Sequence, residues 1–294
     1  MKADVLVAEI GSTTTLINAF CGIRSGEPKF IGQGQAPTSV LEGDVRIGLN
    51  GAIEDLKANL GADKIEYGEM LATSSAAGGL RMCVHGLVYD MTVKAAEAAA
   101  LGAGAIVTMA TAGKLSEYDI EDLKEAKPNL ILLAGGTDYG EKETALFNAR
   151  MIAASGVKAP VIYAGNVQNK RAVEDIFQKA GISCTVTENV YPKLDKLNIE
   201  PARKIIHQVF EEHIIKAPGM EHIRDMVTGH IMPTPGAVME AVQLAYNEIG
   251  DVVAVDIGGA TTDVHSVTGG SEEIGILLTT PEPFATVSYT HLTL

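Results

Sequence analysis

Residues 252–267, with the sequence VVAVDIGGATTDVHSV, combine residue types that could bind a phosphate group. An apolar run ends at Asp256, two glycines and two threonines follow, and residues 264–267 are a second predicted strand. The pattern predicts a β-hairpin whose tip presents backbone N–H groups, because glycine lets the main chain approach an anion closely. Asp256 suits a hydrated Mg²⁺ ion, which takes one or two carboxylates and keeps most of its waters. Such residues also occur in ordinary turns, so this segment alone leaves both interpretations open.

The same arrangement occurs near the N-terminus. An apolar run at residues 5–10 carries Glu9 as its acidic residue, a Gly-Ser-Thr-Thr-Thr stretch begins at Gly11, and a second apolar run covers residues 16–20. Two copies of one pattern are far less expected by chance than a single copy. We therefore predict that two hairpins offer N–H and hydroxyl donors to one polyphosphate from opposite sides.

The composition excludes several classes of function. The 294 residues suffice for two domains and a sizeable core. Lys and Arg number 23 against 37 Asp and Glu, and the net charge of −14 argues against nucleic-acid binding. The three cysteines are scattered without a C-x-x-C pair, which argues against a disulfide framework or a zinc or iron–sulfur site. No signal peptide or long apolar segment is recognisable, so we expect a cytoplasmic protein without a membrane partner.

The elements that position these hairpins follow from hydrophobic periodicity. Strands are predicted at residues 5–10, 16–20, 31–38 and 69–73, with a helix at 44–60. The small-residue loop at 74–79 is expected to lead into a helix from about Leu80, and another helix covers 92–101. From residue 105, strands at 106–109, 130–134, 161–164 and 184–187 alternate with helices at 119–126, 142–155 and 169–180. This alternation predicts βαβ units and a parallel sheet. Helices at 202–215 and 237–249 lead to the second hairpin.

Two further groups of residues are weaker candidates. Residues 134–138 (AGGTD) and 164–166 (AGN) follow predicted strands, where open α/β sheets bind ligands, but they also fit tight strand-to-helix turns. His207 and Glu211 stand four residues apart on a predicted helix, and we expect a solvated helix face there. The histidines as a group lack metal-ligand spacing.

Taken together, several stretches resemble a known family. Residues 10–14, 74–82, 133–138 and 162–166, with both hairpins, are similar to the MutL-type glutamate mutase accessory proteins of glutamate fermentation, which are unrelated to mismatch repair. These proteins are members of the actin, hexokinase and heat-shock-chaperone superfamily of ATPases. The resemblance extends to about residue 285.

The resemblance implies an α/β protein with an actin-like ATPase (ribonuclease H-like) fold. Its expected segments are a first half-domain at 1–104, an inserted parallel βαβ segment at 105–190, a helical connector at 191–250 and the start of a second half-domain at 251–294. The superfamily's adenosine motif has no counterpart here. We expect the chain to be C-terminally truncated, with residues 287–294 (VSYTHLTL) as a non-native tail.

The implied function is an ATP-dependent reactivating chaperone for an adenosylcobalamin-dependent mutase of the glutamate mutase type. Such a factor releases damaged cobalamin by nucleotide-driven domain motion. The implied cofactors are ATP and Mg²⁺, and the implied partners are the mutase subunits, with a homo-oligomer also allowed. The sequence does not identify which mutase is served.

The resemblance also assigns roles to individual residues. Asp256 matches the acidic position that orients the attacking water and holds the metal, and Glu9 is a second metal residue that stands where the superfamily usually has aspartate. The two phosphate loops correspond to Gly11, Ser12, Thr13 and Thr14, and to Gly258, Gly259, Thr261 and Thr262.

Three alternatives remain open. A small-molecule kinase of the same superfamily would need a general base, for which Asp138 is a candidate by composition. A dehydratase activator would need an iron–sulfur cluster, which the scattered cysteines disfavour. A non-enzymatic α/β binding module would make the paired hairpins a coincidence.

Overall fold

The computed structural model describes residues 1–76, 79–259, 261–268 and 290–293 and has an α/β fold. Its strands are β1 (Lys2–Ile10), β2 (Thr14–Cys21), β3 (Lys29–Pro37), β4 (Glu66–Ser74), β5 (Arg81–Gly86), β6 (Ile106–Ala112), β7 (Leu130–Leu133), β8 (Val161–Tyr163), β9 (Cys184–Val186), β10 (Ile231–Pro233), β11 (Val252–Ile257), β12 (Thr261–Val267) and β13 (Thr290–Thr293). Its helices are α1 (Val45–Leu60), α2 (Lys94–Gly102), α3 (Glu117–Ala126), α4 (Glu143–Ala154), α5 (Lys170–Lys179), α6 (Glu200–Ile215) and α7 (Thr234–Ile249).

The described chain divides into two compact units. The first contains the residues before Leu80, those from Gln208 to Val267, and β13; the second contains Leu80–His207. The segment borders expected at residues 104, 190 and 250 do not coincide with these limits and remain predictions about domains. Of the expected non-native tail, only residues 290–293 lie within the described part of the chain.

The first unit is built on a mixed sheet with the order β10-β4-β1-β2-β3. Strands β1, β2 and β3 form an antiparallel meander, whereas β4 and β10 run parallel to β1. Helix α1 packs on β2 and β3. The contact is so close that a Cβ atom at Gly34 would lie 2.1 Å from the backbone oxygen of Ala52, which explains the glycine. Strand β1 is the central strand of this sheet, and Glu9 lies near its carboxyl end.

A second sheet of the first unit has the order β11-β12-β13, with antiparallel pairing throughout. Helix α7 contacts β11 and β12 and also β4 and β10, so it packs on both sheets of the unit. One face of β11 remains uncovered: Val253, Val255 and Ile257 are 68%, 54% and 74% exposed.

The second unit contains a fully parallel sheet with the order β6-β5-β7-β8-β9. The alternating strands and helices predicted from residue 105 onward are confirmed. The helix predicted from about Leu80 is wrong, because β5 occupies Arg81–Gly86 and pairs with both β6 and β7. Residues 82–86 of β5 are all buried, and a short apolar run of this kind does not distinguish a buried strand from a helix.

Among the described residues, no helix is both long and apolar enough to cross a membrane.

Candidate functional site

The two predicted hairpins are confirmed, and they have the same register. In the first, Glu9 pairs with Leu16, and Ile10 and Thr15 form the last pair before the tip. In the second, Asp256 pairs with Asp263, and Ile257 and Thr262 form the last pair. Each hairpin therefore has four residues at its tip, and Glu9 and Asp256 occupy equivalent positions.

The first tip, residues 11–14, retains free hydrogen-bond donors. The Gly11 N–H donates to the Thr14 carbonyl oxygen (3.0 Å), and a Cβ atom at Gly11 would lie 2.8 Å from that oxygen. Gly11 therefore shapes the loop. The N–H groups of Ser12 and Thr13 form no hydrogen bond with any described residue, and both side chains are exposed. These two amides and the neighbouring hydroxyls are available to an anion.

The second tip meets the first within the same unit. A Cβ atom at Gly259 would lie only 2.1 Å from Thr13 Oγ1 and 3.2 Å from Thr13 Cβ. A side chain at Gly259 therefore fits only if the tips separate or Thr13 changes its rotamer. Of the predicted second-loop residues, Gly258 and Gly259 are exposed at the tip, and Thr262 pairs with Ile257. Thr261 begins β12, but its side chain lies outside the described part.

The surroundings of the acidic residues at the bases of the hairpins disfavour their ionisation. Burial raises the pKa of Glu9, and the charge of Asp256 raises it further. Burial also raises the pKa of Asp256, the charge of Asp263 adds to this rise, and His265 opposes it. Carboxylates whose ionisation is disfavoured by their neighbours would be relieved by a divalent cation between them.

The donor set at this position suits magnesium. Within the described ranges, no group of three or more His, Cys, Asp and Glu side chains could hold a metal ion. A closed protein cage is therefore not formed by these residues. The Glu9 and Asp256 carboxylates match the one or two protein ligands of a Mg²⁺ ion that keeps its waters and binds phosphate oxygens.

Two buried polar residues lie beside Asp256 that were not among the predicted site residues. Asp263 and His265 are both buried on β12, and Asp263 lies opposite Asp256. Burial lowers the pKa of His265, although the charges of Asp263 and Asp256 oppose the decrease. The signal was present as period-two alternation, because Asp263, His265 and Val267 share one face of a strand.

The N-terminus of α7 lies at the same end of the first sheet as the first tip. Pro233, which precedes α7, pairs with Ser74, and Ser74 pairs with Ile10. Two strand spacings, about 10 Å, therefore separate the start of α7 from the end of β1. Thr234 also donates to Thr73 Oγ1 (3.3 Å). A helix N-terminus favours anions in its vicinity, so α7 contributes to a positive potential near the tip.

The glycine-rich turns of the second unit are explained by packing. A Cβ atom at Gly136 would lie 2.6 Å from the Glu141 carbonyl oxygen. Asp138 Oδ1 accepts hydrogen bonds from Val167 N–H (2.9 Å) and Asn189 Nδ2 (3.1 Å). These residues hold the loop after β7 in place. Residues 77 and 78 of the small-residue loop at 74–79 lie outside the described residues.

The expected solvated face around Glu211 is wrong. Glu211 is 8% exposed, forms an ion pair with Arg224 and bonds His230 Nδ1 (2.9 Å). The Ile231 N–H also donates to Glu211 (3.4 Å), so this carboxylate anchors β10 to α6. Tertiary contacts from a distant part of the sequence determine this burial.

The chain is similar to MutL proteins both by family model and by direct comparison with a curated relative. The family model described as MutL protein matches residues 5–289. Protein MutL of Clostridium tetanomorphum is 45% identical over 255 residues, which cover 84% of this chain and 55% of the relative. The chain thus spans about half the length of this curated relative. The match over nearly the whole chain confirms the family expected from the sequence: this chain belongs to the MutL protein family.

Proposed function

We propose that this chain provides the phosphate-binding clamp of an ATPase that reactivates an adenosylcobalamin-dependent mutase. The observation that carries the proposal is the pairing of two hairpins with one register, whose tips meet at Gly259 and Thr13 and whose bases carry Glu9 and Asp256. If the two glycine-containing segments were ordinary turns, nothing would require their tips to touch each other. Two such turns, each with a carboxylate at the same position, suit a polyphosphate and its metal ion.

The residues of the clamp have distinct tasks in this proposal. The free N–H groups of Ser12 and Thr13 donate to phosphate oxygens, and the exposed threonine hydroxyls add further donors. Glu9 and Asp256 hold the hydrated Mg²⁺ ion, which neutralises charge on the phosphates of bound ATP. Asp256 also accepts a hydrogen bond from the attacking water and orients it. Catalysis then depends on positioning and electrostatic stabilisation, as in phosphoryl transfer generally.

The first sheet supports the finer fold assignment. An antiparallel meander of three strands, extended by two strands parallel to the first, is the arrangement of an actin-like half-domain. The second hairpin repeats the register of the first and would open the second half-domain. We therefore propose an actin-like (ribonuclease H-like) ATPase fold for the longer family protein.

The reactivating role rests on family membership and on a physical consequence of the clamp. Because the two tips meet, a polyphosphate placed between them must change their separation. ATP binding and hydrolysis would then move one hairpin against the other, and such a motion can open a partner protein. The proposed partners are mutase subunits in the cytoplasm, from which damaged cobalamin is released.

The first test measures Mg-ATP binding and hydrolysis by this chain and by a longer member of the family. Asp256→Asn is expected to abolish turnover and to leave the circular dichroism spectrum unchanged. Asp63→Asn, an exposed aspartate of the same unit, serves as the matched control and should retain turnover. An Asp256→Asn variant with wild-type turnover contradicts the assigned role.

The second test separates the reactivating role from a small-molecule kinase. A mutase inactivated with damaged cobalamin is mixed with ATP, free adenosylcobalamin and the longer family protein. Recovery of mutase activity that requires ATP supports the proposal. ATP turnover that increases with a small acceptor, without any recovery of the mutase, would instead indicate the kinase.

A further inference from the structure

A polar cavity of about 280 Å³ lies in the second unit, at the carboxyl end of the parallel sheet. The loops that follow β7, β8 and β9 contribute Asp138, Val167 and Glu188 to its walls, and Lys170 at the start of α5 also lines it. Open parallel sheets characteristically bind ligands in the crevice outside the carboxyl ends of their strands. This location is therefore suited to a ligand of its own, in a different unit from the two hairpins.

The walls of the cavity are fixed by side-chain amides. Asn189 is buried, its Nδ2 donates to the Gly136 carbonyl oxygen (3.0 Å) and to Asp138, and its Oδ1 accepts from Tyr191 N–H (2.9 Å). Asn198 Nδ2 donates to Glu188 Oε2 (3.0 Å). The loops after β7 and β9 are thus tied together without a ligand, so little ordering is required when one binds.

Two lysines of the cavity form no ion pair with any residue in the described part of the chain. Lys170 and Lys196 both line the cavity, and the ammonium group of neither forms an ion pair or hydrogen bond with a described residue. By contrast, Lys179 at the other end of α5 pairs with Asp175 (2.5 Å). Lys170 and Lys196 balance the charges of Asp138 and Glu188 at the same cavity, in a chain whose net charge is −14. The two lysines therefore place cationic groups beside the cavity that an anion can pair with.

The two carboxylates of the cavity retain acceptor capacity. Asp138 uses Oδ1 for both of its hydrogen bonds, and Glu188 uses Oε2. The remaining oxygens, Asp138 Oδ2 and Glu188 Oε1, form no hydrogen bond with a described residue. Ionised carboxylates accept hydrogen bonds only, so they suit a ligand that brings hydroxyl donors.

We infer that this cavity binds a small phosphorylated sugar of about pentose size. Its phosphate pairs with Lys170 and Lys196, and its hydroxyl groups donate to Asp138 and Glu188. The volume is slightly below the range of typical drug-sized pockets, which suits a ligand of this size. Inorganic phosphate lacks the hydroxyl contacts and ribose lacks the charge pairing, so each binds more weakly than the combined molecule.

The test is calorimetric titration of the chain with ribose 5-phosphate, inorganic phosphate and ribose. Lys170→Ala and Lys196→Ala are each expected to weaken ribose 5-phosphate binding by at least about tenfold, because each removes one charge-assisted contact. Lys124→Ala, which removes an exposed lysine of α3 outside the cavity, is the matched control and should bind as the wild type does.

A second variant tests the hydroxyl contacts. Glu188→Gln is expected to weaken ribose 5-phosphate binding without weakening that of inorganic phosphate. Lys196→Ala should also retain the Mg-ATP affinity of the wild type, which separates this cavity from the proposed clamp. Absence of ribose 5-phosphate binding, or equal affinities of Lys196→Ala and Lys124→Ala, overturns the inference.

Discussion

The contact between the two hairpin tips makes a quantitative prediction for Gly259→Ala. The new methyl carbon would lie 2.1 Å from Thr13 Oγ1, whereas real Cβ atoms stay at least 3.0 Å from other atoms. The tips must therefore separate by about 1 Å or Thr13 must adopt a poorer rotamer. Overpacking of this kind typically costs about 1–3 kcal/mol.

A double-mutant cycle isolates this contact. Thr13→Ala removes Oγ1 and Cγ2 and leaves the Thr13 Cβ at 3.2 Å, a tight but tolerated distance. The double variant should recover at least about 1 kcal/mol of the unfolding free energy that Gly259→Ala loses. Urea unfolding followed by circular dichroism measures the stability term, and calorimetry measures Mg-ATP affinity. Additivity of the two single substitutions within about 0.5 kcal/mol would falsify the contact between the tips.

Three further predictions concern charge and packing. Because the pKa values of Glu9 and Asp256 are raised from 4.5 and 3.8, the folded chain binds more protons than the unfolded chain above those values, and its unfolding free energy falls as the pH rises through them. In urea unfolding between about pH 4 and pH 8, the unfolding free energy of Glu9→Gln or Asp256→Asn should fall less than that of the wild type. Added Mg²⁺ should raise the unfolding free energy of the wild type only. Glu211→Ala removes the hydrogen-bond acceptor of Arg224 and of the buried Ile231 N–H, and it should lower the unfolding free energy by about 1–3 kcal/mol in the same assay. An unfolding free energy equal to that of the wild type would contradict this. Gly34→Ala places a methyl group 2.1 Å from the backbone of α1, and thermal unfolding should report a loss of at least about 3 kcal/mol.

Local periodicity was sufficient to predict most elements of the second unit. Strands β7, β8 and β9 are short apolar runs between amphipathic helices, and each of them is found within one or two residues of its expected limits. Strand β5 was missed because its buried residues lack the alternation of a half-exposed strand. Strand β10 was missed because three residues ending in Pro233 carry little signal of their own, and parallel pairing with β4 forms it.

The candidate site was predictable only in part, for a physical reason. The two hairpins could be recognised because each carries its own glycines, hydroxyl residues and acidic residue in one short stretch. The contact of Gly259 with Thr13 depends on how α7 packs against both sheets, which no local pattern encodes. The burial of Glu211 likewise depends on Arg224 and His230, which follow it by more than a helical turn.

The uncovered face of β11 makes the two hairpins unequal in stability. Residues Val253, Val255 and Ile257 correspond in register to Leu6, Ala8 and Ile10, which are fully buried. Leaving three apolar side chains largely in water forgoes on the order of 3–6 kcal/mol of burial. In native-state hydrogen exchange, the amides of β11 should therefore open before those of β1. The clamp thus combines a stable first hairpin with a less stable second hairpin, and a bound polyphosphate would slow amide exchange most in the second hairpin.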